Sequence, residues 1–254
     1  MQPQVILITG ASSGFGKITA QMLSEQGHIV YGTSRKPSGN MNNVKMLVAD
    51  VTNILSIHEA VGQIISEQGR IDVLINNAGM GIGGALELAT EDEISGQMNT
   101  NFFGVVNMCK VVLPYMRKAR RGKIINISSI GGVMGIPYQG FYSASKFAVE
   151  GYSEALALEV HPFHIKVCVV EPGDFNTGFT DNRNISEQTR LDADYGESFL
   201  KSLEIIEKEE RNGCHPRKLG AAICKIVERT NPPFRTKVGP WIQVLFAKSK
   251  KWLP

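Results

Sequence analysis

The segment VILITGASSGFG, residues 5–16, decides the fold of this chain. Its first four residues are branched and apolar, which is typical of a buried strand. Glycines and two serines follow, and the apolar period of residues 17–26 predicts a helix directly after them. Glycines let a backbone turn sharply, and the free N–H groups of a helix N-terminus attract negative charge. The segment therefore predicts a phosphate-binding turn between a strand and a helix.

The candidate contacts in this turn are Gly10, Ser12, Ser13, Gly14, Phe15 and Gly16. Their glycine spacing departs from the G-x-G-x-x-G pattern of many dinucleotide sites. A tight turn without a ligand is therefore an alternative, and the rest of the chain has to decide between the two interpretations.

Strand-like and helix-like segments alternate along the chain. Apolar, strand-like runs lie at residues 5–8, 28–32, 44–48, 73–75, 123–127 and 165–170. Segments of helical length and period lie at residues 17–26, 54–68, 91–118, 143–159 and 218–228. Such alternation is typical of right-handed crossovers between parallel strands. We expect an α/β fold, a doubly wound Rossmann-type parallel sheet of about seven strands with helices on both faces, in a single domain over residues 1–254.

Composition argues against several classes of function. Lys and Arg outnumber Asp and Glu by 27 to 24, a margin too small to attract nucleic acid. The four cysteines have neither CxxC nor CxxH spacing, so we expect no disulfide framework and no metal site. The N-terminus lacks the features of a secretory signal, and no window reaches the ~20 apolar residues of a membrane span. A soluble, cytoplasmic protein is expected.

Two positive residues follow the second strand-like run. An NAD-selective site offers a carboxylate to the adenosine ribose at this place, whereas this chain has Arg35 and Lys36. Arg35 can bind a 2′-phosphate through charge-assisted hydrogen bonds, which favours NADP(H) as the cofactor. Two solvated loop cations are the alternative. Asp50 and Val51 end the third run and suit the adenine end of a cofactor, although Asp50 would serve equally well as a helix cap.

Tyr142 and Lys146 lie four residues apart at the beginning of a predicted helix, so both side chains can project from one face. A free tyrosine has a pKa of about 10, too high for efficient proton transfer at neutral pH. A nearby ammonium group would stabilise the phenolate and lower that pKa. The pair therefore indicates acid–base catalysis, although helices also carry Tyr and Lys at this spacing by chance.

With these motifs the chain resembles the short-chain dehydrogenase/reductase family over almost its whole length. Residues 9–16 match the family's Thr-Gly-x-x-x-Gly-x-Gly cofactor loop, and Asn76-Asn77-Ala78-Gly79 matches its Asn-Asn-Ala-Gly motif. Residues 142–146 fit the Tyr-x-x-x-Lys signature. The resemblance implies cofactor contacts from Asn77, Ala78 and Gly79, and also from Tyr142 and Lys146.

The resemblance fills the other catalytic positions as well. Asn101 occupies the position of the family's active-site asparagine, and Ser129 lies 13 positions before Tyr142, where the family has its catalytic serine. The segment Pro172-Gly173-Asp174-Phe175-Asn176-Thr177 looks like the family's Pro-Gly turn. That turn implies a backbone contact near Phe175 and a hydroxyl contact from Thr177 to the nicotinamide. A turn hydroxyl at Ser129 and a locally bonded amide at Asn101 are the alternatives.

The resemblance implies reduction of a carbonyl to a secondary alcohol. NADPH would supply the hydride, Ser129 would hydrogen-bond the carbonyl oxygen, and Tyr142 would protonate the developing alkoxide. Lys146 would lower the pKa of Tyr142 and hold the nicotinamide ribose. Asn101 would position a water molecule that links Lys146 to solvent.

The region after the Pro-Gly turn, about residues 178–215, is where family members differ most and is expected to form a substrate lid. Its apolar residues suit a lipophilic ketone, although they could equally serve to pack the lid on the body. Residues 129–137 and 145–151 resemble the steroid- and retinoid-reducing branch of the family, and similar sequence occurs in reductases of long-chain keto-amines. The expected substrate is therefore a small-molecule carbonyl, steroid-like or a long-chain keto-lipid.

The tail, residues 240–254, mixes apolar residues with lysines and predicts an amphipathic helix. Such a helix suits peripheral contact with an anionic membrane, and equally well packing on the body or on a second subunit. The resemblance implies a homodimer or homotetramer, since the family commonly pairs the long helices that hold Asn101 and Tyr142.

Two other functions compete with this hypothesis. A 3-oxoacyl-type reductase would share the same motifs, but the sequence at residues 237–241 lacks the Gly-Gly-aromatic ending typical of those enzymes. A non-catalytic NADP-binding sensor or scaffold would usually have lost the tyrosine or the lysine, and this chain has both.

Overall fold

The structure is a computed structural model that describes residues 2–249 except 37, 38, 40 and 42. Seven parallel strands form its main sheet in the order β3-β2-β1-β4-β6-β7-β9. They are β1 (Val5–Thr9), β2 (Ile29–Ser34), β3 (Val44–Val48), β4 (Val73–Asn76), β6 (Gly122–Ile127), β7 (Ile165–Pro172) and β9 (Arg235–Val238). Two short strands, β5 (Ile82–Gly83) and β8 (Asn184–Ile185), pair with each other outside the main sheet.

Helices cover both faces of the sheet. They are α1 (Gly14–Glu25), α2 (Ile54–Gln68), α3 (Glu91–Met98), α4 (Gly104–Ala119), α5 (Gly140–Val160), α6 (Glu187–Leu191), α7 (Gly196–Arg211), α8 (Arg217–Glu228) and α9 (Trp241–Ser249). The α1 helix packs against α8, and α2 packs against α4. The predicted doubly wound, single-domain α/β fold with about seven strands is confirmed.

The side chains of each strand alternate between two apolar cores, because successive side chains point to opposite faces of a sheet. Along β1, Val5 and Leu7 join the core beneath α2 and α4, whereas Ile6 and Ile8 join the core beneath α1 and α8. Both faces of the sheet are therefore buried, and the carboxyl ends of the strands are left to carry the polar groups of a site.

The predicted helix over residues 91–118 differs from the structure. A π-helical turn, Asn99–Phe103, separates α3 from α4 without a break in the chain. Such wide turns are rare and occur often at functional sites. This one carries Asn101, whose buried side chain bonds a neighbouring loop, a tertiary contact that helical periodicity does not reveal.

The edge strand β9 was missing from the strand-like runs found in the sequence. Its four residues, Arg235–Val238, alternate charged and uncharged side chains, and Arg235 and Lys237 both form ion pairs with Glu171 of β7, so the strand lacks the apolar run that marks the others. Within the residues that the structure describes, no helix is both long enough and apolar enough to cross a membrane.

Candidate active site

The loop between β1 and α1 is shaped by its glycines. Gly10 and Gly14 have positive φ angles of 66° and 50°, which residues with side chains rarely adopt. A Cβ atom on Gly16 would lie 2.3 Å from the carbonyl oxygen of Gly10. Ser13 is the N-cap residue of α1, but its side chain does not cap the helix. The first N–H groups of α1 therefore face a closely turned backbone, which fits the pyrophosphate of a dinucleotide.

Residues after β4 hold this loop in place. The backbone N–H groups of Asn77 and Ala78 both donate to Thr9 Oγ1 at 3.0 Å. The Asn77 side chain donates to the carbonyl oxygens of Thr9 at 2.9 Å and Gly10 at 3.2 Å. In this structure Asn77 and Ala78 thus position the cofactor loop, in addition to any contact that they make with the cofactor itself.

Asn101 connects the loop after β4 to α5. Its side-chain N–H groups donate to the Met80 carbonyl at 2.9 Å and to Ser145 Oγ at 3.1 Å, and its Oδ1 accepts from the Met80 N–H at 2.8 Å. A Cβ atom on Gly79 would lie 3.3 Å from Asn101 Oδ1 and 3.7 Å from Lys146 Nζ. Gly79 is therefore the point where Asn101 and Lys146 approach each other.

Ser129 and Tyr142 meet at the carboxyl end of β6. Ser129 is buried, its Oγ accepts from the Gly131 N–H at 3.0 Å, and its hydroxyl also hydrogen-bonds Tyr142. Lys146 is buried one helical turn after Tyr142, with its Nζ 5.8 Å from the centroid of the Tyr142 ring. The same ammonium group donates to the carbonyl oxygen of Ile127 at 2.9 Å. The three side chains predicted to act together therefore lie together.

The electrostatics of this group differ from the expectation that Lys146 lowers the pKa of Tyr142. Burial raises the pKa of Tyr142, and the hydrogen bond from Ser129 opposes that rise. Burial also lowers the pKa of Lys146 to about 8, against the charge of Glu150, which raises it. The ammonium of Lys146 bonds the Ile127 carbonyl instead of the phenol oxygen, which explains why burial dominates at Tyr142.

The adenosine end of the predicted cofactor site lies at the carboxyl ends of β2 and β3. Arg35 and Lys36 are exposed directly after β2. Val51 is buried, and a Cβ atom on Gly104 would touch it. Asp50 Oδ1 accepts from the N–H of Thr52 at 2.9 Å and from its hydroxyl at 2.7 Å.

The interpretation of Asp50 as the cap of the next helix is wrong. Asn53 is the N-cap residue of α2, and its side chain accepts from the N–H groups of Leu55 and Ser56. The Asp50 carboxylate instead forms a local turn with Thr52 at the end of β3.

A cavity of about 260 Å³ opens at the carboxyl ends of β4, β6 and β7. Of the residues predicted from the sequence, those lining it are Phe15, Asn77, Gly79, Ser129, Tyr142, Lys146, Phe175 and Thr177. Those outside it are Gly10, Ser12, Ser13, Gly14, Gly16, Arg35, Asp50, Val51, Ala78 and Asn101. The rings of Phe15 and Phe175 meet edge to face, 5.1 Å apart, where the cofactor loop reaches the cavity. Thr177 Oγ1 accepts from the Phe179 N–H at 3.2 Å.

The segment over residues 178–215 forms part of the wall of this cavity. Its β8 strand pairs with β5, and the Ala85 N–H donates to Thr189 Oγ1 at 3.0 Å. The Arg183 guanidinium forms a buried ion pair with Glu210 of α7, which ties the two ends of the segment together. Phe179, Ile206, Glu209 and Glu210 from this segment line the cavity.

From the Pro-Gly turn onward, four polar residues that line the cavity were not predicted from the sequence, namely Asp174, Glu209, Glu210 and Gln243. Asp174 stands inside the Pro-Gly turn, but its side chain received no role. The two glutamates lie on the polar helix α7, and Gln243 lies in the tail. No local spacing brings these positions together, because they meet only through tertiary packing.

A doubly wound sheet with a glycine-rich turn, and a Ser, Tyr and Lys group beside it, defines an oxidoreductase of the dinucleotide-binding class. A sequence profile described as short chain dehydrogenase matches residues 4–188, more than half of the chain. The chain therefore belongs to the short-chain dehydrogenase family, as its motifs suggested.

The chain is similar to a reductase over its whole sequence and to a solved structure of the same family. The 3-ketodihydrosphingosine reductase of Bacteroides thetaiotaomicron is 87% identical over 254 residues, which cover 100% of this chain and 94% of that protein. A short-chain dehydrogenase from Streptomyces avermitilis has a TM-score of 0.86 and 33% identity, covering 98% of this chain and 93% of that chain. These similarities agree with an enzyme that acts on carbonyl or alcohol groups.

Two more distant structures were solved with a dinucleotide. One, from Burkholderia phymatum in complex with NAD, has a TM-score of 0.81 and 23% identity over 99% of this chain and 95% of that chain. The other, from Burkholderia cenocepacia in complex with NADP, has a TM-score of 0.77 and 24% identity over 98% of this chain and 93% of that chain. At these identities the likeness shows the fold alone, and the two structures contain different cofactors.

Proposed function

We propose that this enzyme reduces the ketone of a long-chain keto-amine of the 3-ketodihydrosphingosine type to a secondary alcohol, with NADPH as the reductant. The observation that carries the proposal is the cavity in which Ser129 and Tyr142 meet below an apolar wall. The 87% identity to a 3-ketodihydrosphingosine reductase supports this choice of substrate. Since NADPH supplies the hydride, the protein has to bind the ketone and provide a proton.

The residues of the cavity suit these tasks. The Ser129 hydroxyl, fixed by its bond to the Gly131 N–H, is placed to hydrogen-bond the ketone oxygen. Tyr142 is protonated at neutral pH, because burial raises its pKa, and can donate its proton to the forming alkoxide. Lys146 would hold the cofactor ribose. The network of Asn101 would keep the loop after β4 against the helix that carries Tyr142 and Lys146.

The experiment that tests the reaction compares Tyr142→Phe with wild type on 3-ketodihydrosphingosine. We expect kcat to fall by about 10²- to 10⁴-fold, because the phenolic proton is lost. Tyr115→Phe, at an exposed position of α4, is the matched control and should keep wild-type activity. An unchanged rate in Tyr142→Phe would exclude Tyr142 as the proton donor, and a wild type that binds NADPH but reduces no ketone would instead support a dinucleotide sensor.

The preference for NADPH depends on Arg35. Its exposed guanidinium stands directly after β2, on the edge that carries the glycine loop, where it can pair with a 2′-phosphate. A fluorescence titration should show that Arg35→Ala weakens NADPH binding by about 10- to 100-fold and leaves NADH binding unchanged. Arg217→Ala, an exposed arginine of α8, is the control. Tighter binding of NADH than NADPH by wild type would overturn the proposal.

We further propose that residues 178–215 act as the substrate lid.

We also propose that α9, which lies beside this segment, touches an anionic membrane. Trp241, Ile242, Leu245 and Phe246 are at least half exposed on α9, next to Lys248, while Gln243 of the same helix lines the cavity. A lipid substrate would thus enter close to the bilayer. Lys250, Lys251 and Trp252 lie outside the described residues. Sedimentation with anionic vesicles should be lost in Trp241→Ser; sedimentation equal to wild type would contradict the membrane contact.

We also propose a homodimer or homotetramer built on α4 and α5. Phe103, Phe147 and Leu158 are large apolar side chains exposed on these helices and the turn before them, and a subunit interface at this place would bury them. Analytical ultracentrifugation should show a dimer or a tetramer, and Leu158→Glu should shift it toward monomer. A wild-type monomer at micromolar concentration would exclude this assembly.

A further inference from the structure

The active-site cavity is more acidic than reduction of a plain ketone requires. Three carboxylates line it, from Asp174, Glu209 and Glu210. Among the described residues that line it, Lys146 is the only cation, and its ammonium bonds the Ile127 carbonyl. The substrate end of the cavity therefore carries an excess of negative charge.

One of the three carboxylates, that of Glu210, forms an ion pair. Glu210 accepts from Thr180 Oγ1 at 2.7 Å and forms the buried ion pair with Arg183. Glu209, the residue before it on α7, is exposed at the cavity mouth. Asp174 is half-buried, and its charge lies close enough to Tyr142 to raise the pKa of the phenol.

Gln243 of α9 fixes the orientation of Asp174. The Asp174 N–H donates to Gln243 Oε1 at 2.9 Å, and the Gln243 side-chain amide donates back to Asp174 Oδ2. The first bond holds the backbone of Asp174 and the second holds its carboxylate, and neither neutralises the charge. Burial raises the pKa of Asp174 and Glu209 also raises it, whereas the bond from Gln243 and the charge of Arg183 lower it. The net rise shows that the ionised carboxylate lacks a full compensating charge. An ammonium group in the cavity would provide one.

Apolar side chains form another part of the wall. Ile136, Phe179 and Ile206 line the cavity together with the carboxylates. A ligand that fits both parts is a long apolar chain with a cationic head, and its ketone must lie at Ser129 and Tyr142. In a 3-ketodihydrosphingosine the amine is on the carbon next to the ketone. The amine must therefore bind inside this cavity, close to the reacting carbonyl.

We propose, on the basis of the proposed function, that Asp174 binds the protonated amine of the keto-amine substrate and that Glu209 adds a weaker attraction from the mouth of the cavity. Asp174 is then the residue that distinguishes a keto-amine from a ketone of the same length. Gln243 is the positioning residue that orients its carboxylate.

The test combines two substrates with matched variants. One substrate is 3-ketodihydrosphingosine, and the other is the same long-chain hydroxy-ketone without the amine. Asp174→Asn should lower kcat/KM for the keto-amine by about 10- to 100-fold and change kcat/KM for the amine-free ketone by less than about twofold. Glu209→Gln should lower the first value by about threefold, because solvent screens its charge. Glu204→Gln, an exposed glutamate of α7, should change neither value.

Each other outcome overturns the assignment. An equal loss on both substrates would mean that Asp174 only maintains the shape of the cavity, and no loss on either would remove it from recognition. If wild type reduces the amine-free ketone but not the keto-amine, both the assignment and the proposed substrate fail. If wild type reduces neither ketone, the proposed function itself fails.

A second measurement does not depend on folding of the variant. A long-chain primary amine should inhibit wild type at least about tenfold more strongly than its N-acetyl derivative, since only the amine carries a charge. Equal inhibition by the two compounds would contradict the proposal.

NADPH titration of Asp174→Asn should give the wild-type Kd, which separates loss of amine recognition from loss of the fold.

Discussion

The two halves of the active site are built by different kinds of contact. The cofactor half, residues 9–16 and 76–79, is held by backbone groups and by amide bonds to the backbone, such as those from Asn77 to the carbonyls of Thr9 and Gly10. The substrate half, residues 174–215 and 241–249, also has backbone bonds, such as the pairing of β8 with β5, but it adds bonds between side chains, such as Arg183 with Glu210. The first half is fixed by backbone shape, and the second depends in addition on the identity of its side chains.

This difference explains how one fold can serve many substrates. A backbone cradle tolerates few changes, because a side chain at Gly10 or Gly16 would meet neighbouring main-chain atoms. A wall made of side chains can be altered one residue at a time without disturbing the sheet beneath it. Substitutions in the cofactor half should therefore affect every substrate, and substitutions in the substrate half should affect only some.

The largest effect is expected for Gly16→Ala in the cofactor half. The new Cβ atom would lie 2.3 Å from the Gly10 carbonyl oxygen and 2.5 Å from Asn77 Nδ2, so the loop has to shift. We expect the Kd of NADPH to rise by at least about 100-fold, which fluorescence titration measures. All ketones should then be reduced more slowly at a fixed NADPH concentration.

Gly62→Ala is the matched control for this prediction. Gly62 lies within α2, and a Cβ atom there would meet nothing within 4 Å. Alanine should stabilise that helix by about 0.5–1 kcal/mol and leave NADPH binding unchanged. A Gly16→Ala protein with a wild-type Kd would show that the cofactor half adapts as readily as the substrate half.

The cofactor half was also the more predictable from sequence. Its motifs are short, because a turn between a strand and a helix is specified by consecutive residues, and the first six strands of the main sheet followed from apolar runs in the sequence. The structure brings Ser129, Tyr142 and Lys146 into one cavity, as the spacing and the family resemblance suggested.

The substrate half could not be predicted in the same way. Asp174 and Gln243 are 69 residues apart, and their pairing depends on where α9 packs. The two residues of the Arg183–Glu210 ion pair are likewise far apart in sequence, since Arg183 lies in the loop before β8 and Glu210 lies on α7. Electrostatics escaped prediction too, since the rise in the pKa of Tyr142 comes from burial. The cap of α2 is Asn53 and not Asp50, the candidate suggested by the sequence, and only the geometry of α2 shows this.

A smaller effect is expected from pH, through Lys146 at the boundary between the halves. Its pKa of about 8 means that the ammonium is present below pH 8 and is lost as the pH rises above it. If the charge is needed for cofactor and proton handling, kcat/KM for reduction should fall by about tenfold per pH unit above pH 8. Tyr142 stays protonated there, because its pKa is raised.

The pH profile of Lys146→Arg is the control, since arginine stays charged. Any residual activity of this variant should lose the fall above pH 8. A wild-type profile that is flat up to about pH 9.5 would show that the charge of Lys146 is dispensable.

The smallest effect is expected for Gln243→Ala in the substrate half. The change removes two hydrogen bonds to Asp174, each worth about 1 kcal/mol at a half-buried position, while the carboxylate itself remains. We expect the KM for the keto-amine to rise by about three- to tenfold, with kcat and the Kd of NADPH unchanged. Ser249→Ala, near the end of α9, should leave all three values unchanged. A Gln243→Ala protein that binds NADPH more weakly would contradict the independence of the two halves, because α9 would then support the cofactor as well as the substrate.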